Sequence, residues 1–243
     1  MQNFSKNHPI LFTILLFFAG LVVALPFAAV TGGYNADLGS AIGRIIAGVL
    51  IFLIFRNCFK DNRWFSGLKY LLPALVLPVW NIVYQVISGL PAIRTGGDLF
   101  VACICALAPA VFEEVIFRGI FLEKLRENGR SAMESLIISA VVFGLVHLTN
   151  AVGGAVANTL VQTLYAIVIG LFFGAVYLKT RDIVTVILAH FMTDFTTQIF
   201  VQNPNTTSTP LIIAFVIILL ALAAWSVWQT SREKGASASI EEE

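Results

Sequence analysis

The chain has 243 residues, of which 58% are apolar, and its mean hydropathy is +0.88; soluble globular chains hold roughly 45–50% apolar residues. Its 15 Lys and Arg nearly balance 14 acids, for a net charge of +1, and the cations are scattered between apolar stretches rather than collected in a patch. These properties exclude an ordinary soluble fold and give no basis for a nucleic-acid partner.

A helix that crosses the bilayer needs about 20 predominantly apolar residues. The first such stretch covers residues 10–30; Lys6 precedes it, and its length exceeds the apolar region of a cleavable leader, so it is expected to be a retained span. The second and third cover 41–55 and 70–90. The fourth, 99–122, is unusual in carrying Glu113, Glu114 and Arg118, and the fifth, 135–148, is short and contains His147 near its end. The sixth, 155–178, includes Gly170 and Gly174, a spacing that suits close helix packing within the chain or between protomers. The seventh covers 183–200 and the eighth 211–229. Residues 202–210 between them, with the sequon Asn205-Thr206-Thr207, are expected to be an external turn, and 231–243 form a polar tail ending in Glu241, Glu242 and Glu243. The expectation is an all-α polytopic membrane protein with about eight spans, a single membrane domain over 1–230, and an open oligomeric state.

Loop charge tests this count, because Lys and Arg flanking spans are retained in the cytoplasm. With eight spans, Lys6, Arg56, Lys60, Arg63, Lys69, Lys124, Arg126, Arg130, Lys179, Arg181, Arg232 and Lys234 share one side. Only Arg44 and Arg94 fall opposite, and Arg118 lies inside a span. Both termini are therefore expected in the cytoplasm.

Ionisable side chains at bilayer depth cost about 2.5–3.5 kcal/mol each on insertion scales and mark functional sites by default. Away from span ends they are Glu113, Glu114, Arg118, His147, His190 and Asp194. Residues four apart share a helical face, so Glu114 can pair with Arg118 while Glu113 points elsewhere; His190 and Asp194 are matched in the same way. Phe143, one turn before His147, can pack beside the imidazole. At about 1.5 Å of rise per residue, these groups from three spans fall in one layer, expected within or near the cytoplasmic half.

Two histidines among carboxylates can activate water, hold a metal or relay protons. Hydrolysis suits them best: Glu113 as base, His147 positioning the same water, and His190 with Asp194 at the oxyanion. A zinc ion held by Glu113, His147, His190 and Asp194 is the other arrangement of the same groups. A transporter would be expected to show inverted repeats and interrupted helices, and neither is evident. Cys58, Cys103 and Cys105 lack the paired spacing of a zinc site and read as small packing residues.

Glu113-Glu114-Val115-Ile116-Phe117-Arg118, Phe143-Gly144-Leu145-Val146-His147 and His190-Phe191-Met192-Thr193-Asp194 resemble the EExxxR, FxxxH and HxxxN/D motifs of the CPBP family, the CAAX proteases and bacteriocin-processing enzymes also called Abi proteins. The likeness extends over about residues 99–200. It implies an eight-helix membrane endopeptidase related to the Ras-converting CAAX endopeptidase, with a catalytic set of Glu113, Glu114, His147, His190 and Asp194 supported by Arg118 and Phe143. The implied mechanism uses Glu113 as base without a required metal. At the last motif position an Asn can donate to an oxyanion, whereas ionised Asp194 would repel one, so Asp194 is expected to be protonated, to orient His190 or to bind a metal. Short loops favour a bacterial cell-membrane member that processes peptide or protein substrates, bacteriocins or other secreted peptides among them, rather than prenyl-proteins. The rival reading is a non-proteolytic immunity or scaffold protein that keeps the motifs.

Overall fold

A computed structural model describes residues 2–32, 35–89, 92–152, 156–201 and 209–238; the Asn205 sequon and the final glutamates lie outside them. After a short helix, Gln2–Asn7, the long helices are α1 (Pro9–Thr31), α2 (Ala36–Ile54), α3 (Val76–Ile87), α4 (Gly96–Glu114), α5 (Ala132–Val146), α6 (Val156–Thr180), α7 (Ile183–Gln198) and α8 (Thr209–Ala238). Short turns over Leu68–Tyr70 and Leu71–Ala74 lead into α3, and α4 continues through a π-helix, Val115–Leu122, and a last turn, Glu123–Glu127. Seven of these helical stretches are long and apolar enough to cross a membrane. The exception, α7, has 16 residues, about 24 Å of helix. The chain is an all-α polytopic membrane protein, as its hydropathy predicts.

Of the helices that begin earlier than hydropathy alone indicates, α2 and α5 start on capping residues. Asn35 accepts from the Leu38 amide at 3.0 Å and starts α2. Ser131 and Glu134 form a reciprocal capping box that starts α5, at 3.2 and 2.8 Å. Each satisfies amides that a helix start leaves without partners.

The loops that carry most of the cations meet at one end of the bundle. The Arg63 amide donates to the Arg181 carbonyl at 2.7 Å, the Gly67 amide to Asp182 Oδ2 at 2.9 Å, and the Ile183 amide to Asn62 Oδ1 at 2.9 Å. Arg181 forks onto both oxygens of Glu123, with Nη2 to Oε2 at 2.8 Å, tying the end of the α4 stretch to the same cluster. Cys58, also in these loops, packs against the core, and burial pushes its thiol above the usual range, so it stays protonated. At the other end, residues before α4 pair with residues after α7: Arg94 N to Ile199 O and Val201 N to Ala92 O, both 2.8 Å. Short as it is, α7 therefore joins the two ends.

Asp182 is fully buried and also accepts from Thr185 Oγ1 at 2.7 Å and from the Val184 amide at 3.1 Å. An Asp182→Ala change removes the α7 cap and strands the Gly67 amide. It should cost about 1–3 kcal/mol and lower the melting temperature of the detergent-solubilised protein. An unchanged melting curve would show that this loop cluster does not secure α7.

The centre of the bundle is aromatic. Phe112, Phe117, Phe121, Phe172, Phe173 and Tyr177 are all buried. The α4 stretch is the inner element, packed by α1, α2, α5 and α7, so its charges face protein rather than lipid. Leu15, Leu25, Leu53, Leu72, Leu164 and Leu220 are exposed and form the lipid-facing surface. Gly170 and Gly174 serve contact inside the chain: a Cβ on Gly170 would come within 3.2 Å of Ala140 Cα, and one on Gly174 within 2.6 Å of Leu136 Cδ1. The spacing therefore sets how closely α5 approaches α6.

Candidate active site

The six intramembrane ionisable residues and Phe143 converge. Their framework starts with Arg118, whose side chain is sealed inside the protein. Arg118 Nη1 donates to Glu114 Oε1 at 2.9 Å and Nη2 to the Gly170 carbonyl at 3.3 Å. Its guanidinium carbon lies 4.3 Å from the centre of the Phe143 ring, within cation–π range. Ring and ion pair thus hold each other in place, and the close α5–α6 packing at Gly170 brings the accepting carbonyl within reach.

Glu114 does more than neutralise Arg118. The same Oε1 faces His190 Nδ1 at 2.7 Å, so one carboxylate oxygen links α4 to α7. Glu114 is fully buried and is absent from the cavity lining, which gives it a positioning geometry. On the other side of the ring, His190 Nε2 is 3.4 Å from Asp194 Oδ2. Phe143 and Phe173 flank the imidazole, with ring centres 6.3 and 5.5 Å away. Asp194 thus sits where it can orient His190, one of the alternatives left open by its place in the motif.

Glu113 points away from this pair, as the offset between helical neighbours requires. It lines a cavity of about 790 Å³ together with His147, His190 and Asp194, and its sealed Oε2 has no hydrogen-bond partner among the described residues. His147 directly follows α5, where the helix tightens into the 3-10 turn His147–Val152. Its Nδ1 donates to the Phe143 carbonyl at 2.8 Å. That bond fixes the tautomer and leaves the Nε2 lone pair available. Phe143 also packs edge-on against the ring, with centres 5.0 Å apart. A carboxylate and an imidazole with a fixed tautomer that line one cavity can share a water molecule.

Two further features were not read from the sequence. A π-helix starts directly after Glu114, whereas the spacing argument assumed a regular α-helix; wide turns of this kind often occur at functional sites. Arg44, set aside as a span end, lies well inside α2 once Asn35 caps that helix, and it lines the cavity. The Asn35-Ala36-Asp37 start just before an apolar run was the signal available for it. The remaining polar lining includes Asn81, Tyr84, Thr149, Asn150, Gln162, Thr197 and Gln198. None of the lining residues comes from the cation-rich loops. Instead, Gln198 immediately precedes the Ile199–Ala92 end, and Asn150 and Gln162 flank the start of α6. The cavity therefore reaches toward the end opposite the cation-rich loops.

Among the described residues no three His, Cys, Asp or Glu side chains are grouped as metal ligands. His190 Nε2 and Asp194 Oδ2 form a pair, but His190 Nδ1 is held by Glu114 and no third donor joins them. The zinc arrangement does not fit this geometry.

Buried carboxylates and imidazoles around a cavity place the chain in the class of polytopic helical membrane proteins with an ionisable intramembrane site. Residues 95–196 match the family described as type II CAAX prenyl endopeptidase Rce1-like. This part of the chain, which holds all three motifs, is similar to that family, as the motifs themselves are. Comparison with curated proteins gave no match, and comparison with solved structures gave none either.

Proposed function

We propose that the protein is an intramembrane endopeptidase in which Glu113 and His147 activate water within the α4–α5–α7 cavity. The observation that carries this reading is that Glu113, which makes no ion pair among the described residues, lines the same cavity as His147, whose bond to Phe143 leaves Nε2 available. Water donates one hydrogen bond to Glu113 and the other to His147 Nε2. As its oxygen bonds to the scissile carbonyl carbon, Glu113 takes the proton and the carbonyl oxygen acquires the negative charge. His190 Nδ1 stays on Glu114, and the Nε2–H, held only loosely at 3.4 Å from Asp194, turns to that charge. When the C–N bond breaks, Glu113 returns its proton to the leaving amine, giving a new amine and a new carboxylic acid, which ionises on release to water. No metal takes part in this scheme, and chelators should leave turnover within a factor of about two, since general acid–base catalysis does not draw on one.

The cation-rich end, with both termini, is assigned to the cytoplasm by the retention of Lys and Arg there. The cavity then reaches toward the outer face. That placement favours secreted peptides or outward segments of membrane proteins as substrates over cytoplasmic prenyl-proteins, in a bacterial cell membrane. A single cysteine at Thr197, with the three native cysteines replaced, should react with a membrane-impermeant maleimide in intact cells. Labelling only after lysis would reverse the orientation. Proteolysis itself is tested with purified protein in nanodiscs and a set of fluorogenic apolar peptides: wild type should turn over at least one, and a His147→Gln variant should be slower by roughly 10²-fold or more. Equal rates for the two proteins would remove His147 from the chemistry.

A further inference from the structure

Among the described residues Arg44 is the one Lys or Arg that lines the cavity. Its Nε is sealed from solvent and has no hydrogen-bond partner. Asp37, two turns earlier on α2, makes no ion pair with it. The acids that share the cavity, Glu113 and Asp194, are likewise not paired with it. Arg118 is neutralised by Glu114, so among the described residues that line the cavity Arg44 carries the guanidinium that makes no ion pair.

Its level along the bundle follows from the α2–α4 contact. A Cβ on Gly48 would lie 3.1 Å from Phe112 Cα, so the two helices touch beside Glu113. Both run from the Ala92–Ile199 end toward the cation-rich end. Arg44 is one turn before Gly48, about 6 Å toward the cavity's outer end.

We infer that Arg44 is a specificity-determining residue that binds a carboxylate of the peptide substrate on the outer-end side of the scissile bond. A guanidinium presents parallel N–H donors that match a carboxylate, and such pairing strengthens where water is excluded. In an apolar cavity the same cation disfavours substrates that leave it without a partner. The carboxylate is supplied by the substrate's C-terminus or by an acidic side chain. This inference rests on the endopeptidase reading and assigns Arg44 no part in the bond-breaking steps.

The test uses the full chain in nanodiscs and three fluorogenic peptides with one apolar core: the free acid, its C-terminal amide, and an amide with one Asp near the end. Wild type should prefer a carboxylate-bearing peptide over the plain amide by roughly ten-fold in kcat/KM, the order of one charged hydrogen bond, mainly through KM. The preferred peptide identifies the source of the carboxylate. Arg44→Gln should reduce that preference to within about two-fold by losing the carboxylate-bearing substrate while keeping the amide, and Arg44→Lys should retain part of it. Anisotropy measurements of binding with the same peptides read the preference without turnover. Equal binding of acid and amides by wild type, or a preference that survives in Arg44→Gln, would overturn the inference. Selective binding without any cleavage would instead overturn the endopeptidase reading and leave Arg44 as the anion site.

Discussion

Glu113→Gln should reduce peptide cleavage by roughly 10²–10⁴-fold, the usual contribution of a general base, while the protein inserts and melts like wild type. The exchange keeps size and polarity but removes the group that takes the proton from water. No ion pair is lost, because Glu113 makes none among the described residues. Substrate binding should be retained, so the loss should fall on kcat rather than KM. A variant with normal kcat would assign the proton transfer elsewhere. A variant that fails to fold would show that the carboxylate is structural.

Arg118→Met and Glu114→Ala should each destabilise the protein by about 3–5 kcal/mol, because each leaves a charge buried without its partner. Arg118 would lose its bond to Glu114 and Glu114 its bond to Arg118. A double variant, Glu114→Leu with Arg118→Met, removes both charges and should recover much of the stability, since apolar groups of similar volume often replace a buried ion pair at little cost. Activity should not recover with it, because the Glu114 oxygen that meets His190 Nδ1 at 2.7 Å is gone. Melting curves and turnover measured on the same preparations separate these effects. Activity that returns together with stability would mean that Glu114 acts only as the counter-ion of Arg118, and that His190 needs no partner on α4.

Much of this arrangement was legible in the sequence because bilayer depth makes charge conspicuous. Glu113, Glu114, Arg118, His147, His190 and Asp194 stand out against apolar neighbours, and four-residue spacing correctly paired Glu114 with Arg118. The same spacing could not reveal that Glu114 also reaches His190, since contacts between helices depend on how α4 and α7 pack. Nor could it give the π-helix after Glu114, which preserves the apolar pattern while changing the local geometry. Arg44 escaped because hydropathy begins a span where the apolar run begins, whereas Asn35 begins the helix where its side chain caps it. The direction of the cavity was missed for a related reason. Helical rise gives a residue's depth, but the space around it is bounded by side chains from other helices, here Gln162 and Gln198 among them.

The most direct test compares the membrane-associated and secreted peptides of cells producing wild type with those of cells producing Glu113→Gln at equal abundance. The account predicts new peptide termini that appear with wild type alone and that map to secreted peptides or outward-facing segments. Indistinguishable peptide profiles, together with a cellular effect that survives Glu113→Gln, would contradict proteolysis and favour a non-catalytic membrane protein that retains the motifs.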